Sequence, residues 1–277
     1  QVIIDQKETK VTFDDFINKD LIHFSNYDTE RSIPSMCDGL KPSQRKVLFS
    51  VIKRNLKKGI KVSQLAGYVS EKSCYHHGEN SLNDCIVSMA QDFIGTNNIN
   101  LLVPDGQFGT RLQGGSDSAS PRYIWTYMSK LTQLIYRPED YPLYKYLDDD
   151  GTMVEPEFYM PIIPMILVNG SRGIGTGFST FVPNHDPLDI VKNIKNLIKN
   201  KPLNKMLPWY KDFTGTIVED EEKCYNIGNI SKISGDTYKI TELPIGSWTD
   251  KYKEYLESLI IDKSTDSKKK KNQCLLS

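Results

Sequence analysis

No stretch of the sequence approaches the roughly 18 to 20 consecutive apolar residues that a membrane-spanning helix needs. The opening Gln1 to Lys7 lacks the basic start, apolar core and small-residue cleavage site of a secretory signal. It also lacks an initiating Met, which predicts a cut fragment or a processed end. Net charge is absent too, with 35 basic residues against 35 acidic ones, so overall attraction to a polyanion is no argument here. None of the five cysteines forms a Cys-x-x-Cys pair, which argues against structural zinc and fits a reducing compartment. No Gly-x-x-x-x-Gly-Lys run exists to cradle a nucleotide phosphate. What remains is ordinary for a folded protein: 277 residues, 38% hydrophobic, 10% aromatic and 25% charged. Those fractions exclude disorder, collagen and a disulfide miniprotein, and the length allows one large domain or two smaller ones.

The charges are segregated although they cancel. Lys41, Arg45, Lys46, Lys53, Arg54, Lys57, Lys58 and Lys61 fall in one segment without an acid, while Asp148–Asp150 and Glu219–Glu222 gather negative charge. A neutral chain can bind a polyanion through one such face; a solvated helix surface is the plainer alternative.

Periodicity predicts short helices separated by tight turns. Thr12 caps a helix with Phe13, Phe16, Ile17, Leu21 and Ile22 at helical spacing. After a loop at Ser35–Gly39, Lys41-Pro42 opens a helix with Val47, Leu48, Val51 and Ile52 turned inward. A third helix runs from Val62 to Val69, and a fourth buries Leu82, Ile86, Met89, Ala90 and Phe93. Leu101–Val103, the turn Pro104–Gly106 and a return strand at Gln107–Gly115 then read as the hairpin wing of a winged helix. Helical spacing resumes from Pro121 to Ile135, and Pro161–Val168 reads as strand-like. Leu188–Ile198 reads as a helix, followed by strands near Gly215–Val218, Ser231–Ile233 and Tyr238–Thr241. The expected class is α+β: a mainly helical winged-helix domain over residues 1–158, then a β-rich domain over 159–277.

Several motifs compete for chemistry. Gly173-x-Gly175-x-Gly177 misses the dinucleotide pattern, because the third glycine would fall at Phe178. It reads as a tight turn, or as a presentation of Ile174 as an apolar wedge for a base step. His76-His77 lacks a third ligand at useful spacing, and Asp148–Asp150 reads as an acidic turn, so no metal site is assigned. In Arg122-Tyr123, the cation can stabilise both a phenolate and the charge developing on a phosphodiester. A tyrosine merely packed at the wing is the alternative.

Five stretches then set a resemblance. They are Arg31–Phe49 (RSIPSMCDGLKPSQRKVLF), Tyr75–Leu82 (YHHGENSL), Gln107–Arg111 (QFGTR), Ser120–Ile124 (SPRYI) and Pro161–Gly170 (PIIPMILVNG). In order and spacing, from about residue 10 to about 255, the chain resembles the DNA breakage-reunion core of eukaryotic-type type IIA DNA topoisomerases. The resemblance implies that Tyr123 is the nucleophile, with Arg122, His77 and Arg31 as its catalytic companions. Asp38, Lys41, Arg45 and Lys46 fall at its DNA gate, and Ile174 at its intercalating position. The segment from Pro161 to Trp248 matches the first part of the family's tower domain. The family's ATPase, metal-binding and exit-gate parts have no counterpart here, so magnesium and ATP belong to other parts of a longer protein. Cys274–Ser277 behind Lys268–Lys271 superficially fits a prenylation box, and is read as an artefact of truncation.

The reaction implied is reversible transesterification on double-stranded DNA by a homodimer, each protomer cutting one strand through a 5′-phosphotyrosyl link. A nuclear location follows from the eukaryotic likeness, and no membrane is involved. The rivals are a non-catalytic winged-helix DNA-binding module and a tyrosine recombinase. The latter needs a different Arg and His arrangement and no tower.

Overall fold

The computed structural model describes residues 10–260, residue 222 excepted. The box at Cys274–Ser277 lies outside them. Helix α1 (Phe13–Phe16) starts where Thr12 Oγ1 accepts from Asp15 N at 3.1 Å. It continues through a π-helical segment, Ile17–Leu21, into α2 (Ile22–Ser32). The apolar stripe of this rod is not core: Phe13 is 88% exposed, and Phe16, Ile17, Phe24 and Tyr27 also reach solvent.

The core forms on the next three helices, α3 (Pro42–Arg54), α4 (Val62–Ser73) and α5 (Glu79–Ala90). Pro42 supplies a fixed φ where the missing N–H costs nothing, and Gln44 Oε1 accepts from Lys41 N at 2.9 Å. Val47, Leu48, Val51, Leu65, Val69, Leu82 and Ile86 are fully or almost fully buried. The helical stripes expected for α3 and α5 are those that the core uses, except that α5 ends at Ala90 and Phe93 lies beyond it, half-buried against Trp248.

Beside them lies a three-stranded antiparallel sheet, β1 (Ile60–Lys61), β2 (Leu102–Asp105) and β3 (Trp125–Met128), with β3 in the middle. The return strand expected at Gln107–Gly115 is therefore misplaced. Gly109, Gly114 and Gly115 all adopt left-handed φ, which a strand does not tolerate. The true return strand is Trp-Thr-Tyr-Met, which helical spacing in the sequence merges with the following helix α6 (Lys130–Ile135). Strands β4 (Tyr146–Asp149) and β5 (Thr152–Pro156) follow as a hairpin.

Pro161–Val168 departs from its strand-like reading: α7 (Met165–Val168) ends it. The strands come next, as the hairpin β6 (Ser171–Gly175) and β7 (Phe178–Val182). Helix α8 (Pro187–Ile198) is capped by Asp186. Hairpins β8 (Thr216–Asp220)/β9 (Lys223–Ile227) and β10 (Asn229–Ser234)/β11 (Thr237–Glu242) precede α9 (Thr249–Ser258). The α+β class holds.

Packing runs across the boundary expected at residue 158. Met165, Val168 and Ile190 join the same apolar cluster as α3 to α5. Asn98 Nδ2 donates to Val168 O, His185 O and Trp209 O, while its Oδ1 accepts from Lys211 N, and Asn169 exchanges hydrogen bonds with Ile99. Buried amides satisfied in this way fix the later segment against the earlier one.

Candidate nucleic-acid interface

Tyr123 stands at the end of a loop, 106–124, between β2 and β3. The first amides of α4 find no partner within their own helix, and here Ile124 O accepts from Val62 N and Pro121 O from Ser63 N. Tyr123 N donates to Ser120 O, closing a tight turn, and Ile124 beneath is 1% exposed. The turn is thus pinned on both sides, while Tyr123 itself is 72% exposed with Arg122 beside it in solvent.

The rest of the loop is braced. Phe108 is buried and its carbonyl accepts from Gln91 Nε2 at 2.9 Å. Asp117 accepts from Thr110 N, and Arg111 pairs with the buried Glu242 while donating to Leu243 O. Burial pushes the Glu242 carboxyl up, but hydrogen bonds from Thr214 and Arg111 more than offset this and leave it below the ordinary glutamate value. The Gln-Phe-Gly-Thr-Arg motif is a strut for the tyrosine loop, a role that only the contact with β11 reveals.

A second group gathers in a cavity of about 760 Å3 between α2, α3 and the loop after α4, where Arg31 and His77 meet. Tyr27 Oη lies 2.9 Å from His77 Nε2, the Tyr75 ring meets His77 edge-on at 5.4 Å, and Arg31 sits 5.9 Å over Tyr27. Burial, reinforced by the charges of Arg31, His76 and Lys46, lowers the His77 pKa, so the ring is neutral at neutral pH. His76 points elsewhere, to Asp149 at 3.1 Å. Tyr27 is invisible in the sequence, because nothing local marks it among 15 tyrosines. Among the described residues no hydrogen bond, ion pair or ring contact joins Tyr123 to Arg31 or His77.

The basic segment divides. Arg45, read from sequence as a DNA contact, is 7% exposed and forks onto Asp38, its Nε at 2.8 Å and Nη2 at 3.0 Å from the two carboxylate oxygens. Asp38 is fully buried and also accepts from Leu40 N and Tyr159 N. Lys46 is turned in as well, bonded to Ser73 O and to the buried Glu155 at 2.9 Å. Asp38 and Arg45 brace the interior, because a buried charge is tolerated only when paired and hydrogen-bonded, while the half-buried Lys46 and one edge of Arg45 line the cavity of Arg31 and His77. Lys41 is half-buried at the mouth of a polar cavity of about 300 Å3 that also holds Gln44, Asn97 and Arg172.

Lys53, Arg54, Lys57 and Lys58 remain exposed, with Lys61 partly so. None of the five has a carboxylate within ion-pair distance among the described residues. Arg54, Lys57 and Lys58 line a groove of about 690 Å3 with Trp125, and Lys61 lies 5.7 Å over the Trp125 ring. Trp125 and Tyr123 both reach solvent around the buried Ile124, so this groove is next to the tyrosine. Ile174 projects from β6, 67% exposed. Among the described residues no three His, Cys, Asp or Glu side chains gather to hold a metal ion, and no helix is long and apolar enough to cross a membrane.

Comparison with known proteins agrees with this geometry. The family model of the DNA gyrase/topoisomerase IV A-subunit matches residues 31–273. "DNA topoisomerase 2" of Plasmodium falciparum is 53% identical over 261 residues, covering 94% of this chain and 19% of that protein. "DNA topoisomerase 2, mitochondrial" of Dictyostelium discoideum is 52% identical over 258 residues, covering 93% of this chain and 20% of that protein. The crystal structure of the Plasmodium falciparum topoisomerase II DNA-binding, cleavage and re-ligation domain aligns with a TM-score of 0.87 at 52% identity, over 94% of this chain and 36% of that one. The chain spans about a fifth of the length of these curated relatives. An exposed Arg-Tyr turn on a wing, a basic groove at its side and a family match over most of the sequence converge: the chain belongs to the DNA gyrase/topoisomerase IV A-subunit family, on its eukaryotic DNA topoisomerase 2 branch.

Proposed function

We propose that this chain is the DNA-cleaving part of a type IIA topoisomerase and that Tyr123 is its nucleophile. The observation that carries the reading is an exposed phenol held by the N-terminus of α4, with Arg122 adjacent and a groove lined by Arg54, Lys57 and Lys58 alongside. The Tyr123 oxygen attacks a backbone phosphorus, and a P–O bond to tyrosine forms as the bond to the 3′ oxygen breaks. The phenol gives up its proton, and the departing 3′ oxygen takes one up. One phosphodiester replaces another, so the step reverses readily. Arg122 meets the charge on the attacked phosphate. Arg31 and His77 act from their own cavity, where neutral His77 offers one donor and one acceptor and Arg31 a fixed cation. Lys41 and the exposed end of α3 hold the backbone. Ile174 opens a base step.

Residues 1–158 serve in this reading as the winged-helix unit and residues 159–277 as the first part of a tower. The partners are a DNA duplex and a second copy of the protein, and the compartment is the nucleus. The mitochondrial name of the Dictyostelium relative supplies the competing compartment, which imaging of a tagged protein separates. Magnesium and ATP are assigned to parts of the full-length protein outside this chain, as the family resemblance implies. No step here runs through either.

Tyr123→Phe in the full-length protein should abolish the covalent protein–DNA adduct while leaving duplex binding within a few-fold of wild type. Persistent adduct removes Tyr123 as the nucleophile. A wild-type protein that binds duplex yet never forms adduct supports the non-catalytic winged-helix module instead.

A further inference from the structure

The outer face of the β6–β7 hairpin carries more than Ile174. Register pairs Arg172 with Phe181 and Ile174 with Ser179. Directly paired residues share a face, and alternate residues along a strand do too. Arg172, Ile174, Ser179 and Phe181 therefore project together. The opposite face meets α2 at Gly173 and Gly175, with Phe178 left exposed beyond that contact. A Cβ at Gly173 would collide with Ser32 O, and one at Gly175 would lie 3.0 Å from Thr29 Cα. The hairpin's turn is also tied down, because Thr176 Oγ1 donates to Asp28 at 2.9 Å. The glycines are present because backbone meets backbone there.

On the free face Phe181 is 70% exposed, as open as Ile174, and Arg172 has no carboxylate partner among the described residues. Two large apolar side chains on a two-stranded ribbon that is already clamped from behind add little to folding. Arg172 also borders the polar cavity that holds Lys41.

We infer that Phe181 and Arg172 act with Ile174 as one DNA-deforming element. Phe181 packs its ring against the base exposed beside the step that Ile174 opens, and Arg172 takes the flanking phosphate from the narrow-groove side. An isoleucine alone covers little of an unstacked base, whereas an aromatic ring replaces part of the lost stacking. A cation at the edge of the kink offsets the phosphate crowding that bending creates. The inference rests on the reading of Ile174 as the wedge.

The test compares Ile174→Ala, Phe181→Ala and Arg172→Gln in the full-length protein, on a duplex carrying energy-transfer dyes at both ends. Melting of the 277-residue chain is measured in parallel. Phe181→Ala should lower the bending equilibrium roughly five-fold or more and change cleavage-site choice. Arg172→Gln should reduce the slope of log affinity against log salt by about 0.9. All three melting temperatures should stay within about 2 °C of wild type, since the side chains are exposed. If Ile174→Ala bends DNA normally, the wedge reading fails and this inference with it. If Ile174→Ala loses bending while Phe181→Ala and Arg172→Gln match wild type, the wedge stands and this inference alone is overturned. Either variant behaving as wild type removes that residue from the element, and a large fall in melting temperature for Phe181→Ala returns the ring to packing.

Discussion

Replacing Asp38 by Asn keeps the shape of the side chain and removes only its charge, which makes it a sharp probe of the interior beneath the gate. In the native chain the carboxylate receives two N–H groups of Arg45 and the backbone amides of Leu40 and Tyr159, at 2.8 to 3.0 Å, with no solvent contact. Asparagine can still accept from Leu40 N, but its amide NH2 would face the guanidinium, donor against donor. Arg45 is then left buried without its counter-charge, which costs about 3 to 5 kcal/mol. For a chain of this size that corresponds to a fall of roughly 6 to 20 °C in melting temperature. Adding Arg45→Gln removes the stranded charge, so the double variant should melt above Asp38→Asn alone, a non-additive pair. Calorimetry or thermal circular dichroism reads both. Well below its melting point, Asp38→Asn should bind duplex within a few-fold of wild type. If it melts like wild type yet loses most DNA affinity, Asp38 acts at the duplex and the buried-pair argument is wrong.

His77, held below the ordinary histidine pKa by burial and by Arg31, His76 and Lys46, stays neutral through pH 7, so its contribution to duplex affinity should be level above about pH 6.5. On acidification it gains a cation and affinity rises, and His77→Gln should erase that rise; an unchanged rise in the variant assigns it to another group. Tyr136 is fully buried and its hydroxyl has no partner among the described residues, so Tyr136→Phe should leave the melting temperature unchanged or raise it. A fall of more than about 3 °C contradicts that. Glu242, held low by Thr214 and Arg111, stabilises the tyrosine loop above the ordinary glutamate range and loses that effect as pH falls below it. The protection factor of the Asp250 amide, whose N–H donates to Leu112 O, taken against the intrinsic exchange rate at the same pH, should therefore fall in acid, and in Glu242→Gln already at pH 7. No change in the variant refutes the strut.

The helical stripes are legible because α3 and α5 bury what their period says they should, from Val47 and Leu48 to Ile86. Charge is less legible. Arg45 and Lys46 look like Lys53 and Arg54 in a string of letters, and their burial depends on Asp38 and Glu155, the latter 109 residues from Lys46. The wing's return strand escapes notice because Trp125–Met128 has only four residues, too few for alternation to outweigh the helix after it. Gly173 and Gly175 read as a tight turn or as a mount for Ile174, and their contact with α2 is hidden because that helix is remote in sequence. The same blindness hides Tyr27, Arg172 and Phe181, whose neighbours are set by packing and register rather than by spacing. Motif likeness singles out Tyr123 and Arg122 as candidates; periodicity alone does not.

Arg111 and Glu242 are 131 residues apart in sequence, yet their pairing holds the loop that presents Tyr123. On a ribosome making roughly 5 to 20 residues per second, the tyrosine emerges several seconds before the strand that steadies it. Contacts of such long range close late, after their loop entropy has been overcome. A chain interrupted anywhere between would still hold the Tyr123 turn on the N-terminus of α4, but would leave the Arg111 end of its loop without the strut. In the reading proposed above, the loop around the phenol is fully braced only once β11 is in place, so the last contact of the site is also among the last to be made.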